Sequence, residues 1–242
     1  MPGLNGRRVA VVAGVRTPFS KAGTSLKDVR AVDLARYAAR ELLERTNLDG
    51  QEVDEVIFGQ VVPSPLVPNI GREVSLLPQF PKEIPAYSLN RACASASQAV
   101  TAAQDQIALG NAAVVIAGGA EALSDIPILA SRRLADILVE ASKAKSLGAR
   151  VKTFAKIRPK DLVPVAPAIA EPSTGESMGQ SAEKMAKENH ISREEQDRWA
   201  LRSHTLAAQG TADGRLTAEI APWLSTRPNE PVVRQDNGIR TD

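Results

Sequence analysis

The stretch AYSLNRACASASQAVTAAQDQIALG, residues 86–110, sets the fold class. Residues around 85–90 read as a strand. From Cys93 to Leu109 the run CASASQAVTAAQDQIAL reads as a helix of small residues, stopped by Gly110. Strand and helix meet at Cys93, the one cysteine in the chain. A sharp strand-to-helix junction pushes the side chain at its apex out from the sheet edge. Helix N–H groups and the positive end of the helix dipole stabilise a thiolate there. Such a thiolate attacks carbonyls and thioesters, and the same amides help hold the resulting oxyanion. The ordinary reading of a lone cysteine is a small buried hydrophobe; placement at the junction favours the reactive one. Because small side chains let neighbours approach closely, the helix is expected to be covered on most sides.

Working outward, strands and helices alternate. RRVAVVAGV, residues 7–15, is β-branched and short, and reads as a buried strand ending at Gly14 and the Thr17-Pro18 turn. AVDLARYAARELLERT, residues 31–46, has apolar positions at helical spacing. VDEVIFGQVV, residues 53–62, is a further strand, followed by a proline-rich loop over 63–70 and a short helix near 70–77. NAAVVIAGG, residues 111–119, is another buried strand. The alternation predicts an α/β sheet, parallel or mixed, with helices on both faces.

After Ser124 the pattern changes. Arg132 to Lys160 holds nine basic residues against Asp136 and Glu140, a local +7 on a chain whose total is +2. Such a segment attracts anions: phosphorylated ligands, a lipid surface or nucleic acid. No nucleic-acid motif accompanies the charge, and aromatics are only 3%, too few for stacking platforms, so nucleic acid is not expected. A solvated face that steers phosphates and a membrane-surface helix over 132–160 both stay open. Prolines 159, 164, 167 and 172 mark the exit from this segment. A helical pair is expected over 177–190 and 193–209, the second opened by Ser192 and Glu195 in a capping box. Beyond Gly214 the chain reads as loop.

Apolar residues make up 43% and charged residues 24%, which excludes wholesale disorder. No apolar run reaches the roughly 20 residues that cross a bilayer, and the first residues show no secretory leader; a cytoplasmic chain is expected. One cysteine and two histidines, His190 and His204, leave no His/Cys metal cluster and no internal disulfide, so no metal is expected. Both histidines lie in the helical pair and read as surface or packing residues. Glu121 and Asp125 follow the 111–119 strand, where turn or capping roles are expected.

In this order the motifs resemble the thiolase family. LNRACASASQA is similar to its N-x-x-C-x-S nucleophile motif. VAVVAGVRTPFSKAG resembles the first strand and its R-T-P-F turn, FGQVV with PNIGR the second strand and the helix after it, and VVIAGGAEALS the strand after the cysteine helix. STGESMGQSAEKMAKENHISREEQDRWALRSHTLAA resembles the loop domain that receives coenzyme A. The long basic connection is most similar to the 3-ketoacyl-CoA thiolase subunits of fatty-acid β-oxidation complexes, the trifunctional-protein β-subunit type. Short biosynthetic acetoacetyl-CoA thiolases carry a His before the Met of M-G-x-x-A-E, where this chain has Ser177 before Met178.

The resemblance implies an acyltransferase with coenzyme A and acyl-CoA as substrates and Cys93 as nucleophile. Met178 and Ser177 would contact the acyl-pantetheine arm, and Arg240 the CoA nucleotide. It implies a thiolase-type sheet with the N-terminal α/β half over 1–123 and a mostly helical loop domain over 124–242. The family's second half, with an N-E-A-F asparagine, a G-H-P histidine and a second cysteine, is not found here. The expectation is a first half that is acylated but does not turn over, with the Ala-rich faces of its cysteine helix exposed. Partners implied are a second copy in a homodimer or a β-oxidation complex. The alternatives are an acetoacetyl-CoA thiolase, a decarboxylating ketoacyl synthase, which the R-T-P-F turn and M-G-x-x-A-E segment disfavour, and a non-catalytic acyl-CoA-binding chain.

Overall fold

The structure, a computed structural model, describes residues 8–165, 170–225 and 230–240. Arg7, at the start of the first expected strand, and Pro167 lie outside the described residues. The chain forms two compact units, Met1–Asp125 with Gln196–Asp242, and Ile126–Glu195. The sequence-based division instead groups all of 124–242.

In the first unit, three strands make one sheet: β1 (Glu55–Gly59), β2 (Ala86–Leu89) and β3 (Val115–Gly119), in the order β2-β1-β3. Both pairings are parallel, with Val56 opposite Ala86 on one side and Ile116 on the other. β1 is central and buried along its whole length, Glu55 included, and its apolar Val56–Phe58 suits a strand covered on both faces. Side chains alternate between the faces. Val56 and Phe58 join one cluster with Ala31, Val32, Ala35, Ala39 and Leu43 of α1 (Ala31–Thr46) and Ile70 and Val74 of α2 (Ile70–Ser75). Ile57 packs on the opposite face against Ala99 and Ala103 of α3 (Ser95–Leu109). The expected α/β class, with helices on both faces, holds.

Helix ends follow their local chemistry. α1 stops at Asn47, which takes the left-handed φ of 51° and returns its N–H to Glu44 and Leu43. α3 stops at Gly110 with φ 81°. Asp54 opens β3 by accepting the N–H groups of Ala113 at 2.7 Å and Val114 at 3.0 Å, and these bonds hold its carboxyl below the usual range.

Three expectations need correction. Residues 8–15 form no strand: they run unpaired, with Val11 85% and Val12 90% exposed. β-branched residues favour extended backbone, but a strand also needs a sheet edge to accept its hydrogen bonds, and none of the described strands pairs with this run. α3 is not covered on most sides: Ser95, Ala99 and Ala103 are buried while Val100 and Leu109 are exposed. One sheet face can bury only one stripe of a helix. Beyond Gly214 the chain is not all loop, because α8 (Arg215–Glu219) forms there.

Within the first unit, residues after 214 are tied to the N-terminal part of the chain by polar bonds. Tyr37 donates to the Pro222 carbonyl at 2.5 Å, and Arg45 to the Ile220 carbonyl at 2.6 Å. Arg16 exchanges backbone bonds with Glu219 and Ala221. α7 (Arg193–Ala212) begins at the expected capping box, with Ser192 N–H donating to Glu195 at 2.9 Å and Glu195 N–H to Ser192 Oγ at 3.2 Å.

The second unit holds α4 (Arg132–Lys143), α5 (Leu147–Phe154) and α6 (Met178–Glu188). Ser131 caps α4 and Ser146 caps α5. Ile137, Ala141 and Thr153 are buried. Lys156 pairs with Glu140 at 2.6 Å, and Arg133 with the buried Asp161 at 3.1 Å.

Candidate functional site

The chain leaves β2 at Leu89 and reaches α3 at Ser95 through a tight turn. Asn90 fixes its start: its side-chain oxygen accepts the Ala92 N–H at 2.9 Å, and its amide donates to the Val61 carbonyl at 2.8 Å. Ala92 sits at φ 46°, a left-handed conformation that costs a Cβ-bearing residue about 1–2 kcal/mol. Ser95, buried at 3% exposure, closes the turn. Its Oγ accepts the Arg91 N–H at 2.8 Å and donates to the Ala92 carbonyl at 2.6 Å. Cys93 stands inside this turn and is exposed.

No side chain caps α3, so its N-terminal dipole is available beside the thiol. The end of β1 allows the close fit. A Cβ on Gly59 would lie 2.4 Å from the Ser95 carbonyl carbon and 2.6 Å from the Ala96 nitrogen. A Cβ on Gly119 would lie 2.8 Å from Ala96 Cβ. These glycines bring two strand ends against the first turn of α3.

Cys93 opens onto a groove of ≈ 480 Å³. Its walls are the 15–22 turn, the start of α1, Gly59 to Val61, the first turn of α3 and the 119–124 loop. Glu121 lines it and has the expected turn role, accepting the N–H groups of Val61 at 2.7 Å and Val62 at 3.2 Å. Asp125 sits in a turn, its N–H donating to the Ala122 carbonyl at 2.9 Å.

The 15–22 turn is clasped from a distance. Asp236 accepts Arg16 Nη1 at 2.7 Å, Nη2 at 2.9 Å and the Phe19 N–H at 2.7 Å. The Arg16 guanidinium also lies 4.6 Å from the Phe19 ring centre. Asn237 accepts the Lys21 N–H at 2.7 Å. Burial alone would raise the Asp236 carboxyl, but Arg16 and the Phe19 N–H hold it below the usual carboxylate range.

Of the residues singled out from sequence, Cys93 and Arg240 lie in the first unit and Met178 and Ser177 in the second. Arg240 is exposed, is not part of the groove, and donates its backbone N–H to His204 Nδ1 at 3.2 Å. Met178 opens α6 at 59% exposure. Ser177 caps α6: its N–H donates to Gln180 Oε1 at 2.8 Å while its Oγ accepts the Gln180 N–H at 3.3 Å. Asn90 and Ser95 were inside the recognised motif without an assigned role. Gln60 lies within the FGQVV motif, also without an assigned role, and Asp236 and Asn237 carry no local signal. Among the described residues, no group of three or more His, Cys, Asp or Glu is placed to hold a metal.

Residues 9–242 match the thiolase N-terminal domain. The chain belongs to the thiolase family. It is 48% identical over 235 residues to the 3-ketoacyl-CoA thiolase of Pseudoalteromonas translucida (strain TAC 125), covering 97% of this chain and 54% of that one. It is 45% identical over 237 residues to the enzyme of the same name from Yersinia pestis (strain Pestoides F), covering 98% and 54%. The acetyl-CoA acetyltransferase of Bacillus anthracis superposes with a TM-score of 0.78 at 31% identity, over 95% of this chain and 54% of that chain. The Acat5 thiolase from Ascaris suum, solved in complex with coenzyme A, superposes with a TM-score of 0.72 at 25% identity, over 87% and 50%. This thiolase chain thus spans about half the length of the relatives it matches.

Proposed function

We propose that this chain is the nucleophile-bearing part of a 3-ketoacyl-CoA thiolase, acting in fatty-acid β-oxidation. The observation that carries the reading is the exposed Cys93, held in a clamped turn at an uncapped helix N-terminus and facing a groove. The names of these relatives support the substrate class over an acetoacetyl-CoA-specific or a purely binding role. In the cycle, Cys93 Sγ attacks C3 of a 3-ketoacyl-CoA. The C2–C3 bond breaks, its electron pair stays on C2, and protonation there gives acetyl-CoA. The thiol of a second CoA then attacks the acyl-Cys93 thioester, takes the shortened acyl group and returns the proton to Sγ. Helix amides offset the charge that develops on the carbonyl oxygen.

Residues 1–123 serve as the catalytic α/β half and 124–242 as the CoA-facing loop domain. Met178, Ser177 and Arg240 contact the CoA ester, which is a substrate and not a bound cofactor. Full turnover and homodimer or complex assembly need the second half that the family carries, and the place of action is the cytoplasm. The test is exchange of isotope-labelled CoA into acetyl-CoA, which needs only the acyl-Cys93 half-reaction. The reading expects exchange by the wild-type chain and none by Cys93→Ala; equal exchange by both contradicts it.

A separate observation favours a lipid-facing role for the second unit. Leu147, Val151 and Phe154 recur at helical spacing on α5 and are 78%, 62% and 43% exposed. The nearby Lys143, Lys145, Arg150 and Lys152 make no ion pair among the described residues. An outward apolar stripe bordered by free cations suits an anionic membrane surface.

A further inference from the structure

Two polar atoms in residues bordering the Cys93 groove have no partner. Gln60 Oε1 and Ser20 Oγ are buried and make no hydrogen bond, and both residues line the groove together with Cys93. Gln60 is only 8% exposed. Its backbone is fixed, the N–H donating to the Leu89 carbonyl at 3.1 Å. Strand alternation places it on the same sheet face as Val56 and Phe58, where Leu34, Ala35 and Ala38 of α1 also border the groove. A buried carbonyl acceptor without a partner is unfavourable until a donor reaches it. Leucine or methionine would fill the position without that cost. The fold holds an unmet acceptor on a residue that lines the same groove as its nucleophile.

We propose that Gln60 is a ligand-binding residue whose side-chain carbonyl accepts a hydrogen bond from the amide N–H of a thioester substrate's arm, seated in the groove beside Cys93. This rests on the acyl-transfer reading and adds the residue that recognises the arm. The acceptor is neutral, so it suits a neutral donor; a buried ammonium would call for a carboxylate. Within an acyl-CoA, the neutral donors are the pantetheine amides and hydroxyl, the ribose hydroxyl and the adenine amine, and only an amide lies close to the thioester that Cys93 attacks. The pantetheine arm offers amide N–H groups, the nearest separated from the thioester sulfur by an ethylene link. Gln60 therefore favours thioesters that carry this amide over those that lack it.

Two acetyl donors separate the claims. S-acetyl-N-acetylcysteamine carries the amide and S-ethyl thioacetate does not. In both, the Cys93 Sγ–carbonyl bond forms, the thioester C–S bond breaks, and the thiol proton passes to the leaving thiolate. Intact mass against time gives each rate. The wild-type chain is expected to react faster with the amide donor. Gln60→Met should cut that preference about tenfold, the worth of one hydrogen bond. It should leave the S-ethyl thioacetate rate within about twofold, since the intrinsic reactivity of the thiol is untouched. Its melting temperature should hold or rise, because an unmet buried acceptor is gone; Gln60→Leu repeats the test should Met pack poorly. A preserved preference in the variants overturns the proposal. So does a fall in both rates together with the melting temperature, which is the signature of a structural role. Reaction of wild type with both donors but no preference overturns the Gln60 assignment alone, whereas no Cys93 acylation by either donor overturns the acyl-transfer reading and this assignment with it.

Discussion

Ser95 Oγ donates to the Ala92 carbonyl at 2.6 Å, and Ala92 holds a φ of 46° one residue before the nucleophile. The serine thus offsets backbone strain at the turn that presents Cys93. Ser95→Ala should lower stability by about 1–2 kcal/mol, because it also leaves the Arg91 N–H without its acceptor. Ala92→Gly should raise stability by up to about 1 kcal/mol, since glycine takes this φ without strain. If Ser95 offsets that strain, Ala92→Gly should gain more stability in the Ser95→Ala background than in wild type, so the combined cost should be smaller than the sum of the two separate changes. Denaturant melts of the three variants check the order; strict additivity would mean that Ser95 does not act on the Ala92 strain.

Gly59 sets the distance between β1 and α3. The Cβ of Gly59→Ala would meet the Ser95 carbonyl carbon at 2.4 Å and the Ala96 nitrogen at 2.6 Å, both backbone atoms that cannot swing aside. The expected cost is about 2–3 kcal/mol, with slower alkylation of Cys93 by iodoacetamide as the turn shifts. Unchanged stability and alkylation would show that the helix start has room the structure does not give it.

The Asp236–Arg16 clasp makes a pH prediction. Asp236 is held below its ordinary value in the folded chain, so it contributes stability above the unfolded carboxylate value of about 4 and loses it as pH falls through the lower folded value. Asp236→Ala should therefore be less stable than wild type at pH 7 by about 2 kcal/mol, and the gap should narrow below about pH 4. Chemical melts of both proteins across this range measure it. A gap that does not change with pH would assign the effect to packing and not to the carboxylate.

The lipid-facing reading of α5 predicts co-sedimentation with phosphatidylserine vesicles. Reversing Lys143, Lys145, Arg150 and Lys152 to glutamate should abolish it, each cation being worth about 1 kcal/mol near an anionic surface. Leu147→Ser with Val151→Ser should weaken it with the charges intact. Wild-type chain left in the supernatant would remove this role.

Much of the fold was legible because it depends on neighbours in sequence. α1 shows its apolar period, α3 its glycine stop and α7 its Ser192–Glu195 box, and each is where the pattern puts it. β1 announces itself through the β-branched and aromatic Val56, Ile57 and Phe58. What local pattern cannot supply is the partner. Residues 8–15 carry strand-forming side chains but pair with no edge among the described strands. The small residues of α3 predict close packing, yet only one stripe of the helix is covered. At the site, Cys93 stood out through its junction and motif. Asp236 and Gln60 did not, because their roles come from residues 220 positions away in one case and from a missing hydrogen bond in the other. Ser177 shows the reverse difficulty: a serine beside a family motif is also an ordinary helix cap.

The central claim is that Cys93 accepts an acyl group from a CoA thioester. Intact mass of the chain before and after incubation with acetyl-CoA, alongside Cys93→Ala, tests it most directly. The account predicts one acetyl adduct on wild type, none on the variant, and loss of the adduct when free CoA is added. An unmodified wild-type chain, or an adduct that persists in Cys93→Ala, would contradict it.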